Sequence, residues 1–428
     1  MISMTFFLPA MRTKLSQSAF LTAMICTVVI FSTACAFPLT ETSTTDNELE
    51  ISSSSQAFVQ DISTSIIKND MFTYETPWPQ VRLGPYIQSV SQDSVIIAWQ
   101  TEGESVGEVR YGISEELAVQ VKEASAQRQH AIYISNLEPD TQYFYQVFSD
   151  ANSFSDILSF KTLIASDQSD FKFVVYGDTQ KNQMIHAAII DLALDSKPAF
   201  VIHMGDLVDE GDLPQEWIDF FTIESELLRT TSLFPTYGNH DGDGFFYDSL
   251  FFTPGDERWY TFTNGNARFI SLEVAKDRWP DIEPTSEQYK WLESELSKND
   301  HPWLIVFFHM PPYTSEYGSD EDRYERTIEE TLFIRDNLTP LFEKFGVDLV
   351  LNGHHHNYQR SQANGITYIV SGGGGARLSH KLLPDEFLET YQVIPHLLEI
   401  TIDDDRIVVD AISAYGERFD TFTLSQQE

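Results

Sequence analysis

The sequence predicts two folded domains in series, an all-β sandwich followed by an α/β domain. Short segments of alternating hydrophobic and polar residues, separated by turn residues, occupy the chain from 94 to 161. After residue 170, hydrophobic strands alternate with amphipathic helices, beginning with a strand at 171–176 and a helix at 184–194. This alternation is typical of strands that are connected through helices packed on the faces of a sheet. The predicted fold class is therefore multidomain, with an N-terminal sandwich and an α/β domain.

The composition limits the partners that this chain can bind. It has 428 residues, of which 42% are hydrophobic, enough for two or three domains with a sizeable core. The 65 acidic residues against 27 basic ones give a formal net charge of −38. Such a charge repels nucleic acid and anionic membrane surfaces, so neither is an expected partner. A bound anion must then be attracted by a local positive group, such as a pair of metal ions.

Residues 1–36 have the three parts of a secretory signal. Arg12 and Lys14 precede an apolar run at 20–31, and small residues follow at 32–36. The apolar run is too short to span a bilayer comfortably. Cys35 resembles the lipid-modified cysteine of bacterial lipoproteins, but the same residues also fit an ordinary signal-peptidase site. The expected location is extracytoplasmic, either secreted or as a bacterial cell-surface lipoprotein whose only membrane contact is its lipid.

Residues 37–75 are rich in Ser, Thr, Asp and Glu, and we predict a disordered tether there. The sandwich is predicted at 76–164. Within it, the proline turn and tyrosine-rich strand at 137–145 resemble those of fibronectin type III domains. Because no cluster of histidines or carboxylates in the sandwich has the spacing of metal ligands, we expect it to serve positioning or an interface. The α/β domain is predicted at 169–428.

Polar side chains follow five of the hydrophobic strands of the α/β domain. Because ligands that follow the strands of one sheet converge at its edge, these residues form a candidate metal site. The mixture of nitrogen and oxygen donors suits first-row metals. The candidates, in chain order, are Asp178, Gln180, Asp206, Asn239, His240, Asp241, His309, His354 and His356.

The last of these strands, at 349–351, leads into three consecutive histidines. In an extended segment, alternate side chains share a side, so His354 and His356 face one way and His355 the other. Such a run by itself is also compatible with a solvated loop or a metal scavenger. The four matching strand ends upstream favour the metal site.

The order of these motifs resembles that of the calcineurin-like metallophosphoesterases and, within them, the purple acid phosphatases. The segment 353–360 is close to the Gly-His-x-His-x-Tyr-x-Arg pattern of the latter, and a fibronectin-like domain also precedes their catalytic domain. The resemblance covers about residues 78–415. It implies that the α/β domain is a two-sheet β-sandwich flanked by helices.

The resemblance also implies a function and a role for each candidate residue. The expected reaction is hydrolysis of a small-molecule phosphate ester by metal-bound hydroxide, as in an acid-phosphatase-like phosphomonoesterase. The two metal ions would be Fe, Mn or Zn, and His240 would be the general acid, oriented by Asp241. One metal ion would be held by Asp178, Gln180, Asp206 and His356, and the other by Asp206, Asn239, His309 and His354.

The sequence departs from the family pattern at three places. Asp209 stands where purple acid phosphatases have a tyrosine ligand, and Gln180 stands where the superfamily has a histidine. Gly318 and Ser319 replace histidines of the branch. These departures imply a colourless site. They also leave two alternatives open: a phosphodiesterase or nucleotidase of the same superfamily, and a catalytically weak surface binding protein with a structural metal.

Overall fold

The computed structural model describes residues 82–255, 257–275, 279–316, 321–379 and 386–426. The predicted signal at 1–36 and tether at 37–75 lie outside the described residues. Within the described ranges, we find no helix that combines the length and hydropathy needed to cross a membrane.

The first part of the described chain is built from strands alone, as predicted. In β6, Tyr143, Tyr145 and Val147 are buried and alternate with more exposed neighbours, which is the period-two pattern of a half-buried strand. The strands are β1 (Leu83–Gln88), β2 (Ser94–Ser105), β3 (Gly107–Gly112), β4 (Val119–Lys122), β5 (Gln127–Ser135), β6 (Gln142–Ser149), β7 (Asn152–Ser153) and β8 (Leu158–Lys161).

The second part alternates strands and helices before it closes with antiparallel strands. Its strands are β9 (Phe171–Tyr176), β10 (Phe200–His203), β11 (Ser232–Pro235), β12 (Tyr260–Asn264), β13 (Ala267–Ser271), β14 (Trp303–Phe307), β15 (Leu349–Asn352), β16 (Tyr358–Ala363), β17 (Ile366–Ser371), β18 (Leu388–Gln392), β19 (His396–Ile402), β20 (Arg406–Ser413) and β21 (Arg418–Ser425). Its α-helices are α1 (Gln183–Ser196), α2 (Pro214–Leu228), α3 (Phe245–Leu250), α4 (Glu287–Ser297) and α5 (Glu321–Phe345).

Two large sheets pack face to face in the α/β part. The nine-stranded sheet has the order β21-β20-β19-β9-β10-β11-β1-β2-β5, and the seven-stranded sheet has the order β12-β13-β14-β15-β17-β16-β18. Between them lies an aromatic core in which Phe200 of the first sheet meets Phe262 and Phe269 of the second, with ring centroids 5.3 and 5.2 Å apart. Helices α1 and α2 cover the outer face of the first sheet, and α4 and α5 cover the second. The predicted fold class is confirmed.

The N-terminal strands are less separate than the sequence predicts. A smaller sheet contains β4, β3, β6 and β7 in that order, with β8 paired to β6. Strands β1, β2 and β5 instead extend the nine-stranded sheet, because β1 pairs in parallel with β11 at Gln88 and Leu233. One sheet therefore crosses the predicted boundary, and the division into 76–164 and 169–428 stays a proposal about folding units.

Some elements differ from the sequence prediction. The amphipathic pattern at 331–345 predicts a helix, and α5 begins ten residues before it. The elements that the sequence does not predict are α3, β1, β4, β7, β12, β16, β18 and β21. Helix α3 has only six residues, too few to show a helical period. Among the described strands, β21 pairs only with β20, and its period-two pattern is weak because most of its side chains are exposed or half-buried.

Candidate metal centre

The predicted ligands converge at one edge of the two sheets. Asp178 and Asp206 follow the parallel strands β9 and β10 by two or three residues, and Asn239 follows β11. From the facing sheet, His309 follows β14, and His354 and His356 follow β15. The carboxyl ends of parallel strands are where ligands bind in open α/β sheets. The structure therefore brings all seven predicted metal ligands to the same edge.

Asp206 is shared by two groups of potential metal ligands. Its carboxylate forms one group with His309 and His354, and a second group with Asp178 and His356. Within each group, the ligand atoms lie within 4.8 Å of one another. A carboxylate common to two such groups has the arrangement needed to bridge two cations.

The two predicted amide ligands lie beside these groups. Asn239 Oδ1 is 3.2 Å from His309 Nε2, and Gln180 Nε2 is 3.4 Å from Asp206 Oδ2. Gln180 Oε1 is buried and has no hydrogen-bond partner among the described residues. A buried oxygen without a donor is costly unless something else satisfies it, and a metal ion would do so.

Hydrogen bonds to the backbone orient two of the histidines. His309 Nδ1 lies 2.7 Å from the carbonyl oxygen of Met204, and His356 Nδ1 lies 3.0 Å from that of Arg377. Each Nδ1 can only donate to a carbonyl, so in the neutral imidazole each Nε2 carries the lone pair that a metal would use. His309 Nε2 lies 3.3 Å from Asp206 Oδ1, and His356 Nε2 lies 3.5 Å from Asp178 Oδ1. His354 Nδ1 faces His309 Nε2 at 3.2 Å. Convergent ring nitrogens of this kind suit a shared cation.

Three of the proposed ligands have unusual backbone conformations. Asp178, Asp206 and His354 have φ values of 58°, 52° and 69°. Non-glycine residues rarely adopt this left-handed region, and it persists at functional sites when surrounding contacts enforce it. One such contact is the backbone N–H of His354, which donates to both carboxylate oxygens of Asp178 at 3.1 Å.

Glycines allow the loops of the site to approach closely. A Cβ on Gly238 would lie 2.1 Å from the backbone nitrogen of Asp206. In the run 372–375, a Cβ on Gly372 would lie 2.8 Å from Asp178 Oδ2. The backbone of this run therefore passes directly behind Asp178, where a side chain would not fit.

The electrostatics of the histidines also fit metal binding. Burial, followed by the neighbouring His355 and His309, lowers the pKa of His354 well below its ordinary value. Burial opposes the charging of His309, but the carboxylates of Asp206 and Asp178 outweigh it and raise its pKa to about 9. The site thus favours a positive charge next to Asp206, and it keeps His354 as a neutral imidazole, the form that binds a metal ion. Both properties suit a pair of first-row metals. The residues present therefore fit the metals that the sequence implies.

Asp241 does not have the contact that the sequence predicted. Instead of orienting the imidazole of His240, its carboxylate accepts from the backbone N–H groups of Leu207 (2.8 Å), Gly238 (2.7 Å) and Asp206 (3.1 Å). The carboxylate is fully buried, and burial together with the negative charge of Asp206 raises its pKa. Asp241 therefore holds together the two loops that carry Asp206 and Asn239.

The imidazole of His240 instead contacts Asp209, the residue that stands in place of the tyrosine ligand of purple acid phosphatases. Its backbone carbonyl lies 2.7 Å from His240 Nδ1, and its carboxylate lies 3.5 Å from the same nitrogen. The carboxylate also binds Lys181 Nζ at 2.9 Å. Asp209 belongs to neither ligand group. No local sequence pattern indicates this ion pair, because Lys181 and Asp209 lie on two different loops.

The remaining motif residues are structural. His355 is buried and lies 3.7 Å from Glu316 Oε2, which agrees with the prediction that it faces away from the metals. Tyr358 donates to Asp420 Oδ2 at 2.7 Å, and Arg360 Nε donates to the same oxygen at 2.8 Å. These two residues of the histidine motif therefore attach β16 to β21 and do not contact the ligand groups.

Comparisons with known proteins agree with this geometry. Residues 171–358 match the family described as calcineurin-like phosphoesterase, and residues 80–162 match the purple acid phosphatase N-terminal domain. Purple acid phosphatase 18 of Arabidopsis thaliana is 28% identical over 58% of this chain and 58% of its own length. Acid phosphatase type 7 of Homo sapiens is 28% identical over 54% of this chain and 56% of its own length. The chain thus spans little more than half the length of these curated relatives.

Solved structures show the same fold. The purple acid phosphatase PPD1 from yellow lupin (Lupinus luteus) seeds superimposes with a TM-score of 0.70 and 20% identity, over 80% of this chain and 74% of that one. The fold and the site agree with the family match, in which residues 171–358 correspond to a calcineurin-like phosphoesterase domain. The chain is also similar to purple acid phosphatases, whose N-terminal domain residues 80–162 match.

Proposed function

We propose that this chain is a binuclear-metal phosphoesterase, acting as an acid-phosphatase-like phosphomonoesterase on small-molecule phosphate esters. The observation that carries the proposal is that Asp206 belongs to both groups of potential ligands. An anionic bridge between two cations is the arrangement that phosphoester hydrolysis by paired metals needs.

The chain supplies a complete ligand set for two metal ions of the Fe, Mn or Zn type. When bound, such a pair supplies Lewis acidity toward phosphate oxygens and makes water a nucleophile near neutral pH. In the proposed assignment, one ion is held by Asp178, Gln180, Asp206 and His356, and the other by Asp206, Asn239, His309 and His354.

His240 is the proposed proton donor to the leaving oxygen. Its Nδ1 donates to the carbonyl of Asp209, so its Nε2 is free to hold or release the proton at the substrate. The side chain is 38% exposed, in contrast to the fully buried His309, and it can therefore reach a bound ester. Asp209 and Asp241 are positioning residues. Asp209 fixes the imidazole of His240, and Asp241 fixes the loops that carry Asp206 and Asn239.

The experiment that tests the bridge compares Asp206→Asn with Asp209→Ala. Because Asp206→Asn removes the anion that both cations share, metal content should fall from about two ions per chain, and hydrolysis of phenyl phosphate should fall with it. Asp209→Ala should retain both ions, because its carboxylate belongs to neither ligand group. Metal analysis of both variants checks this, and full occupancy in Asp206→Asn would contradict the assignment.

A second candidate is a catalytically weak binding protein whose metal site is structural. It is favoured by the relative described as probable inactive purple acid phosphatase 1, from Arabidopsis thaliana, which is 26% identical over 69% of this chain. Wild-type protein with two bound metal ions but no turnover of phosphomonoesters, phosphodiesters or nucleotides would support this alternative. The same panel of substrates separates a phosphomonoesterase from a phosphodiesterase or nucleotidase.

The proposed site of action is outside the cytoplasm, at the cell surface or in secreted form. The proposal depends on the signal at 1–36, and the surface-bound form requires a lipid on Cys35. Cys35→Ala should move the protein from the membrane fraction to the soluble fraction. Unchanged membrane fractionation of this variant would contradict the lipid anchor.

A further inference from the structure

A lysine lies on the His240 side of the metal centre. Lys181 directly follows Gln180, and its side chain is 50% exposed. Its Nζ lies 2.9 Å from a carboxylate oxygen of Asp209. The same oxygen is 3.5 Å from His240 Nδ1. The ammonium group is therefore separated from the proposed proton donor by a single carboxylate.

The ion pair with Asp209 leaves Lys181 able to bind a substrate. Partly exposed pairs of this kind contribute little stability, so another anion can compete for the ammonium group. Lysine also has three donors on a flexible four-carbon stem. In a chain with a net charge of −38, a cation at the rim of the site is a notable local attraction for an anionic substrate.

The loops joined by this ion pair also expose hydrophobic side chains. Met184, in the first turn of α1, is 82% exposed, and Leu213, next to α2, is 46% exposed. A hydrogen bond of 2.9 Å between Gln183 and Asp219 joins α1 to α2. Each of the two loops that form the ion pair thus leads, within four residues along the chain, to an exposed apolar side chain, which is compatible with an organic leaving group that carries its own anion.

We propose that Lys181 is a specificity residue that binds an anionic substituent on the leaving group of the substrate. The preferred substrates are then phosphate monoesters of organic alcohols or phenols whose leaving group carries a carboxylate or a second phosphate. The inference rests on the proposed function, because His240 identifies the leaving-group side. In the reaction, the oxygen of water bonds to phosphorus and its proton is lost to solvent, while the ester P–O bond breaks and the leaving oxygen takes a proton from His240. His240 then regains a proton from solvent.

The test compares phenyl phosphate with 4-carboxyphenyl phosphate, two esters that differ mainly in the charge of the leaving group. The ratio of their kcat/KM values is measured for metal-loaded wild type, Lys181→Met and Lys181→Arg. Lys181→Met should lower the preference for the carboxylate ester by roughly 2- to 5-fold, the size expected for a half-exposed ion pair. Lys181→Arg should retain the preference, because it keeps the charge.

Lys172→Met is the matched control for the change in net charge. Lys172 also forms an ion pair, 3.2 Å from Glu399, but it lies at the start of β9, away from the strand end that carries Asp178. This variant should leave the ratio unchanged. Turnover of both esters with the same ratio in wild type and Lys181→Met would overturn the role of Lys181 alone. No turnover of either ester by metal-loaded wild type would overturn the proposed function, and this inference with it.

Discussion

At the scale of single residues, His240 gives the most direct view of the proposed chemistry. A general acid matters when the leaving alkoxide is a strong base, and much less when the leaving group departs without a proton. His240→Ala should therefore lower kcat/KM for an alkyl phosphate by about 10²–10⁴-fold. The loss with 4-nitrophenyl phosphate should be much smaller.

Metal content provides the control for this variant, because Asn239, and not His240, is a proposed ligand. It should stay near that of wild type. An equal loss of activity on both substrates, or a loss of metal, would show that His240 binds the substrate or holds the site together.

Asp348 allows a prediction of how stability depends on pH. Its carboxylate accepts from the backbone N–H of Leu304 at 2.8 Å, and burial raises its pKa from 3.8 to about 6. The folded chain thus holds this proton more tightly than the unfolded chain, so the contribution of Asp348 to stability falls as the pH rises from about 4 to about 6.

Asp348→Asn keeps the acceptor oxygen and removes the ionisation. The free energy of unfolding at pH 7 should rise by on the order of 2 kcal/mol, with little difference near pH 4. Urea unfolding of the metal-free protein at both pH values checks this, with Asp405→Asn as the control, since its side chain is 80% exposed. A gain that is the same at both pH values would contradict the ionisation as its cause.

At the scale of elements, Asp420 attaches the last strand to the histidine motif. It accepts hydrogen bonds from Tyr358 and Arg360 of β16, while Tyr358 itself is fully buried. Asp420→Ala would leave two donors of β16 without their shared acceptor. Unfolding free energy should fall by about 2–3 kcal/mol.

Asp410, on the neighbouring strand β20, is the matched control. It pairs with the exposed Arg418 at 3.1 Å, and such surface pairs contribute about 0–1 kcal/mol. Chemical denaturation of Asp420→Ala and Asp410→Ala measures the difference. Similar losses of unfolding free energy in the two variants would show that the hydrogen bonds to β16 contribute no more than a surface ion pair.

At the scale of the whole molecule, the N-terminal strands support the α/β part. Strand β1 covers the edge of β11, and Tyr86 packs on Phe221 of α2 with ring centroids 4.8 Å apart. A chain that begins at Ser169 would expose an unpaired strand edge and this hydrophobic surface. It should be less soluble and melt at a lower temperature than the full chain, as size-exclusion chromatography and thermal unfolding would show. A soluble monomer with an unchanged Tm would contradict this dependence.

The sequence predicts the ligands better than it predicts the contacts between loops. Each ligand follows a hydrophobic strand, and this local pattern is visible without tertiary structure. The contacts of Asp209 with His240 and Lys181, and of Asp241 with backbone amides, depend on how two loops pack. The pairing of Gln88 with Leu233 joins strands far apart in the chain, and hydrophobic periodicity shows where a strand lies but not which edge it meets.

Because both parts of the chain share one sheet, metal binding at the site should also stabilise strands that carry no ligand. A metal ion that binds the folded state alone stabilises every segment that unfolds together with its site. Strands β2 and β5 belong to the same sheet as β9 and β10, although they carry none of the proposed ligands. Protection of the β2 and β5 amides against hydrogen exchange should then rise when metal is added. Exchange in these strands would thus report whether the metal site is occupied.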